Sequence, residues 1–277
     1  MQSFVACSAL YKTGKCSLHY RNISKLCVPF GFCKSFLPRS FSGRLSVGAP
    51  RSNTTHCKKT LVCTLRKVLV PIANGTEEIE AVTIADTLVR AGAQVTIASV
   101  ENQLQITASR GVRIVADKLI SDCTNEQYDL IAIPGGAKGA EKLGSCEELI
   151  TLLRQQQQSG KFIGAICAAP ALVLAENGFL EDSIRATCYP ADQFLSKLKN
   201  PVDDEDCPVV VDGQFITSQG PGTALHFSLT LVEKLYGRQK AEELAALMLL
   251  TPEDGLFTGV GSDGNLQAVD VQEEAAL

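Results

Sequence analysis

The chain has 277 residues, 45% of them apolar, with 26 Lys and Arg against 30 Asp and Glu, 22 Gly and 11 Pro. That composition supports a globular core and excludes a fibrous or wholly disordered chain. The net charge of −4 conceals a split, because residues 1–66 carry 11 of the basic residues and none of the acidic ones, leaving 15 basic against 30 acidic from residue 67 onward. A body this acidic repels phosphate backbones, so no nucleic-acid partner is expected. The longest charge-free apolar run, Phe162 to Ala175, has 14 residues and contains Pro170. It is too short to cross a bilayer, and no membrane association is expected.

Residues 1–66 also hold nine Ser, five Thr and six of the 11 Cys, and the first acidic residue in the chain is Glu77. A basic, hydroxyl-rich, acid-free head is the chemistry of an organellar transit peptide. Lys12, Lys15 and Arg21 interrupt the apolar stretch that a secretory signal needs. Leu61-Val62-Cys63-Thr64 looks like a plastid processing site, so residues 1–66 are read as a disordered chloroplast transit peptide, with the mitochondrion as the alternative destination. The plainer alternative is a basic tail that touches nucleic acid or membrane, but such tails rarely scatter six Cys among isolated charges. Beyond the head, Cys123, Cys146, Cys167, Cys188 and Cys207 stand about twenty apart without a CxxC pair. No metal site and no redox dithiol is expected from that spacing.

Lys67 to Ile72 is a short apolar strand, and Ala73-Asn74-Gly75-Thr76 is a turn whose Thr76 is placed to cap a helix beginning at Glu77. Ile79, Val82, Leu88 and Val89 form that helix's apolar stripe, Arg90-Ala91-Gly92 ends it, and Gln94 to Val100 is a second strand. Residues 103–117 alternate weakly, as in a small hairpin, whereas Leu130 to Ile133 reads as a buried parallel strand stopped by Pro134-Gly135-Gly136. A helix over Glu147 to Gln158 leads to a further buried strand, Phe162 to Ile166, which runs into Cys167 and the helix-forming Ala168 to Glu176. Arg185 to Cys188 is a possible strand, Val209 to Val211 and Phe215 to Thr217 make a hairpin across Asp212-Gly213, and two helices, 223–236 and 238–249, follow. This alternation predicts one α/β domain over residues 67–250, with a mostly parallel, doubly wound sheet and helices on both faces. Residues 251–277 turn Gly-, Asp- and Glu-rich and are read as an acidic, flexible tail.

In a doubly wound sheet the reactive crevice lies at the carboxyl ends of the strands. Three exits there carry chemistry: Glu77 to Glu80, Pro134-Gly135-Gly136, and Cys167-Ala168-Ala169-Pro170. A Cys at a strand-to-helix junction is exposed by the turn, and the helix's free N–H groups are expected to lower its thiol pKa, although such a Cys is as readily a small buried hydrophobe. Gly135 and Gly136 allow close backbone approach, and their N–H groups, with that of Ala168, are candidates to hold a developing oxyanion. The same segment matches neither phosphate-binding glycine pattern, so nucleotide binding gains no support. Of Glu77, Glu78 and Glu80, one or two are expected to be solvated first-turn residues; Glu80, if turned inward, would compete with the thiol for a proton. His226 is the single His after residue 66, and its place in an apolar helical stripe speaks against a Cys-His dyad.

These exits, in this order, resemble the parkinsonism-associated deglycase (DJ-one) family of the ThiJ/PfpI superfamily. The matching residues are Asn74 to Glu80, Ser109-Arg110-Gly111, Ile133 to Ala137, Ala165 to Pro170 and Thr217 to Thr223, spanning the whole predicted domain. The resemblance implies a flavodoxin-like fold, a homodimer, Cys167 as an oxidisable nucleophile and Glu80 as its carboxyl partner, with Tyr189 and Arg110 as auxiliary candidates. It also implies a cofactor-independent enzyme acting on small dicarbonyls, either a glutathione-independent glyoxalase, which is a lyase, or a deglycase, which is a hydrolase. A redox-sensing, chaperone-like protein whose cysteine is oxidised to a sulfinate is the alternative. Two positions depart from the pattern: Tyr189 stands where animal relatives often carry His, and Ala168 follows the nucleophile where peptidase-like branches carry His. Plant relatives commonly join two such domains in tandem, and a second copy of the chain is expected to stand in for the absent neighbour.

Overall fold

The computed structural model describes residues 65–202 and 207–250. Strand β1 (Lys67–Ile72) is almost wholly buried, and its side chains divide by parity: Val68, Val70 and Ile72 enter one core, Leu69 and Ala73 the other. A strand apolar on both faces must be covered on both, and that fixes a three-layer arrangement. Parallel neighbours flank it, β2 (Gln94–Ser99) in register from Lys67↔Gln94 to Ile72↔Ser99, and β6 (Leu130–Ile133) on the other side. β7 (Phe162–Ile166) and β9 (Phe215–Ser218) extend the sheet in parallel; β8 (Val209–Asp212) closes one edge antiparallel to β9, and β5 (Lys118–Leu119) closes the other beside β2. The order β5-β2-β1-β6-β7-β9-β8 contains the flavodoxin-like sequence of parallel strands. A separate hairpin, β3 (Gln105–Thr107) with β4 (Arg113–Val115), occupies the weakly alternating stretch.

Helix α1 (Glu78–Ala91) starts at Glu77, whose side chain accepts the Glu80 N–H at 2.8 Å, and stops at Gly92 with φ of 98°. The expected cap, Thr76, instead accepts the Ala73 N–H at 2.9 Å within the turn. The longer Glu77 side chain reaches the N3 amide in its place, and the turn has already engaged the threonine. The stripe also differs from expectation: Ala81, Ile84, Leu88 and Ala91 face the core, while Ile79, Val82 and Val89 are each more than half exposed. Each of the buried Ile84 and Leu88 contributes about 1.5–3 kcal/mol. Helices α5 (Ala224–Tyr236) and α6 (Arg238–Leu247) pack on the same sheet face as α1, through Phe227, Leu231 and Leu244.

The opposite face carries α2 (Ala137–Gly144), α3 (Glu147–Gln158) and a π-helical turn, Pro170–Ala175. The eight-residue α2 was not legible in the sequence because two glycines interrupt its pattern. Gly139 lies in it for steric reasons, since a Cβ there would sit 2.5 Å from Thr76 N. The predicted strand at 185–188 is only an isolated bridge, Ala186↔Pro201, followed by the short α4 (Asp192–Leu195). β7 pairs directly with β9, so the segment has no place between them. The proposed transit peptide and the acidic tail lie outside the described residues, save Leu65 and Arg66 at the edge of the first.

Candidate functional site

The chain leaves β1 toward β2 and returns to β6 on the other side, so a crevice opens above the carboxyl ends of β1, β6 and β7. Cys167 stands at the exit of β7 with φ of 65°, left-handed backbone that costs a non-glycine residue roughly 1–2 kcal/mol. Two hydrogen bonds hold it there. Its N–H donates to the Ser218 carbonyl at 2.9 Å, and its carbonyl accepts the Tyr189 N–H at 2.8 Å. The result is an elbow that presents a partly exposed thiol at the mouth of the crevice. The turn after it passes into π-helical form at Pro170, a device frequent at functional sites.

Glu80 reaches the same point from α1. It is fully buried, and its Oε2 accepts the Gly135 N–H at 2.7 Å. At N3 of a helix a glutamate ordinarily turns back to the N-cap amide, but here it crosses to the exit of β6, and the Glu77 N–H donates to the Gly135 carbonyl at 3.0 Å instead. Glycine is obligatory at 135, since a Cβ there would lie 2.6 Å from Cys167 Cβ and 2.9 Å from Glu80 Oε2. Gly135 is therefore corrected as an oxyanion donor, because its N–H is already engaged by the carboxyl. The N–H groups of Gly136 and Ala168 are the ones that face the sulfur.

Burial dominates the proton affinity of both groups. It pushes Glu80 up to about 7, opposed by the Gly135 N–H, reinforced by the charge of Glu77 and opposed again by a hydrogen bond with the Cys167 thiol. Burial and the negative charge of Glu80 push Cys167 up to about 12, against the two backbone N–H groups. The expected lowering of the thiol by the helix is thus overturned while Glu80 is ionised. Glu80 Oε1 is buried without a well-formed hydrogen bond, which is costly for an ionised oxygen and is relieved when the carboxyl carries or shares a proton. The two groups titrate as a pair that holds two protons below about pH 7 and one above it. With that proton on Glu80, the charge opposing the thiolate is gone.

None of the three first-turn glutamates is solvated. Glu77 and Glu78 are each 8% exposed. Burial alone would raise Glu78, yet hydrogen bonds from Ser109 Oγ at 2.7 Å and the Arg110 N–H at 2.8 Å bring it below its ordinary value. Arg110 thus meets the site through its backbone, and its residue is exposed. Tyr189 is 44% exposed, stacks edge-on against Phe194 at 6.3 Å and covers Gly220 at the rim. No cluster of metal-ligating side chains occurs among the described residues, and no helix there is long and apolar enough to cross a membrane. Sequence reasoning missed the Ser218 carbonyl, which leaves no residue-type signal, and the Glu78 tether, which the matching Ser109-Arg110 segment could have suggested.

A flavodoxin-like sheet with a strained cysteine elbow at its switch point and a buried carboxyl against the thiol defines a class of cysteine-bearing α/β proteins. The chain belongs to the DJ-1/PfpI family, whose model matches residues 66–234. It is 41% identical over 239 residues to protein DJ-1 homolog B of Arabidopsis thaliana, covering 86% of this chain and 54% of that one. The chain therefore spans about half the length of that curated relative. The glutathione-independent glyoxalase DJR-1.2 of Caenorhabditis elegans is 40% identical over 170 residues, 61% of this chain and 87% of the other. Oxidised DJ-1 of Toxoplasma gondii superimposes with a TM-score of 0.64 at 45% identity, covering 67% of this chain and 99% of that one.

Proposed function

We propose that the protein is a cofactor-independent glyoxalase that converts methylglyoxal or glyoxal to a hydroxy acid through Cys167. The observation that carries this reading is the buried Glu80 carboxyl set against the Cys167 thiol at a strained, N–H-lined elbow. The glyoxalase of Caenorhabditis elegans, which needs no glutathione, supports it. The thiolate adds to the aldehyde carbon, and the Gly136 and Ala168 N–H groups, on the sulfur's side of the crevice, are placed to receive the developing alkoxide. Glu80 gives its proton to that alkoxide and, now ionised, takes the hydrogen from the same carbon as a proton and returns it to the neighbouring carbonyl carbon, while the hydroxyl proton passes to the neighbouring oxygen. The aldehyde carbon is thereby oxidised to a thioester and the ketone reduced to an alcohol, with no external redox partner. Water cleaves the thioester, releasing the hydroxy acid and the thiol. The same thiol addition at a glycated amine would give deglycase-type hydrolysis.

The working unit is proposed to be a homodimer. Ile79, Val82 and Val89 on α1, with Val112 and Val115 at the neighbouring hairpin, expose apolar surface that a second copy would cover. Residues 1–66 are proposed to direct import into the chloroplast, or alternatively the mitochondrion. The decisive assay is lactate formation from methylglyoxal without glutathione, by the full chain and by Cys167→Ser. Thiol-dependent lactate supports the enzyme; a folded wild type that makes none overturns it. The second reading, oxidation sensing, is favoured by the partial exposure of Cys167 beside a carboxyl able to donate to a sulfinate. Peroxide-dependent gain of two oxygens at Cys167 without turnover would select it.

A further inference from the structure

Glu77 has no part in the chemistry above, yet both its backbone and its side chain enter the hydrogen bonding around Glu80. Three residues form a closed ring of hydrogen bonds: Glu77 N–H to the Gly135 carbonyl at 3.0 Å, Gly135 N–H to Glu80 Oε2 at 2.7 Å, and Glu80 N–H to Glu77 Oε2 at 2.8 Å. The ring joins α1 to the exit of β6 and leaves Glu80 one direction to point. Within it two carboxyl groups lie buried three residues apart, and among the described residues no ion pair neutralises either.

We propose that Glu77 is the positioning residue of this site, a second buried carboxylate that locks Glu80 against Cys167 and supplies the charge that keeps a proton between them. A neutral cap would satisfy the Glu80 amide equally well, as Ser, Thr and Asn do at most helix starts. What only an ionised group adds is repulsion toward a neighbouring carboxylate. The groups that act on Glu80 are few: Glu77 from its own helix, Cys167 from the exit of β7, and the neutral Gly135 N–H from β6. Glu78 is not among them, because its carboxyl turns to Ser109 and Arg110. With Glu77 charged, an ionised Glu80 is disfavoured, which raises the share of the state with the proton on Glu80 and the anion on sulfur. Without that charge, Glu80 ionises more readily and the proton moves to sulfur, leaving a less reactive thiol.

This inference rests on the Glu80–Cys167 pairing of the proposed function and not on turnover, so its test is independent of lactate formation. Glu77→Gln keeps a side-chain oxygen to accept the Glu80 N–H and removes the charge. The readouts are the infrared band of the protonated carboxyl that disappears in Glu80→Gln, followed against pH, and the rate of Cys167 alkylation by iodoacetamide at pH 7. Glu77→Gln is expected to lower the midpoint of the band from near 7 to about 6 and to slow alkylation roughly tenfold, as a like charge a few ångström away would. Glu77→Asp, which keeps both charge and cap, is expected to hold the wild-type midpoint. A Gln variant that folds with an unchanged midpoint, or an Asp variant whose midpoint falls, would overturn the proposal and leave Glu77 a helix cap. A protein that makes no lactate but shows these shifts loses the glyoxalase reading and keeps this one.

Discussion

The two ends of the same sheet use the same residue types for opposite purposes. Turns that feed the strands, at Gly92 before β2, Gly160 before β7 and Gly213 before β9, hold glycines with positive φ and open space around each. Turns that leave β1 and β6 hold tightly packed glycines, with a Cβ on Gly136 colliding with the Gly75 carbonyl and one on Gly75 lying 2.8 Å from Lys138 Cβ. The carboxylates divide likewise. Near the strand entries Glu126 pairs with Lys67 and Lys118 and Asp129 with Arg66, all partly exposed. At the exits Glu77, Glu78 and Glu80 are buried and meet backbone N–H groups, a serine hydroxyl or a thiol. The shifts differ in cause: a hydrogen bond from Lys118 lowers Glu126 at the entries, whereas at the exits burial raises Glu80.

The contrast is broken most severely by Gly136→Ala. Strained φ of 84° and a clash with backbone on both the Gly75 and Glu77 sides should together cost about 3 kcal/mol or more, read as a lower denaturant midpoint. Misplacement of the exit should also slow Cys167 alkylation. Next in size is the pH dependence of stability. Glu80 has a folded pKa of about 7 against an ordinary 4.5, so the folded state binds the proton more tightly than the unfolded one. Its contribution is therefore lost as pH rises from the unfolded value through the folded one, by an order of about 3 kcal/mol between pH 4.5 and pH 7 and above. Glu80→Gln should flatten that part of the stability profile measured by urea unfolding from pH 5 to 8, and should lower lactate formation by roughly 10²-fold. A profile of unchanged slope in the variant would show that Glu80 is not the group responsible.

Smaller effects sharpen the other end. Gly160→Ala meets φ of 63° but no neighbouring atom, and should cost about 1 kcal/mol, well below Gly136→Ala in the same unfolding assay. Glu126→Gln removes two solvent-exposed ion pairs and should barely move the unfolding midpoint, since such pairs contribute little. A loss at Glu126 comparable to that at Gly136 would erase the distinction drawn between the two ends.

Much of the architecture is local and was readable in the sequence. The apolar runs 67–72, 130–133 and 162–166 needed no partner to be recognised as buried strands, because a parallel strand covered on both faces must be apolar throughout. Cys167 at the end of such a run was legible as a residue at a strand exit, whereas Glu80 was legible only as one of three carboxyls that could turn inward. The tertiary structure decided what depends on elements distant in the chain. That Gly135 donates to Glu80 rather than to an oxyanion follows from β6 lying beside β1, a contact across 55 residues. Whether a first-turn glutamate is solvated, and whether Ile79, Val82 and Val89 face core or surface, is settled by which side of α1 meets the sheet. The sign of the thiol's shift was likewise beyond the sequence: the helix's N–H groups were legible there, but the burial and the neighbouring carboxyl charge that outweigh them exist only once β1, β6 and β7 are side by side.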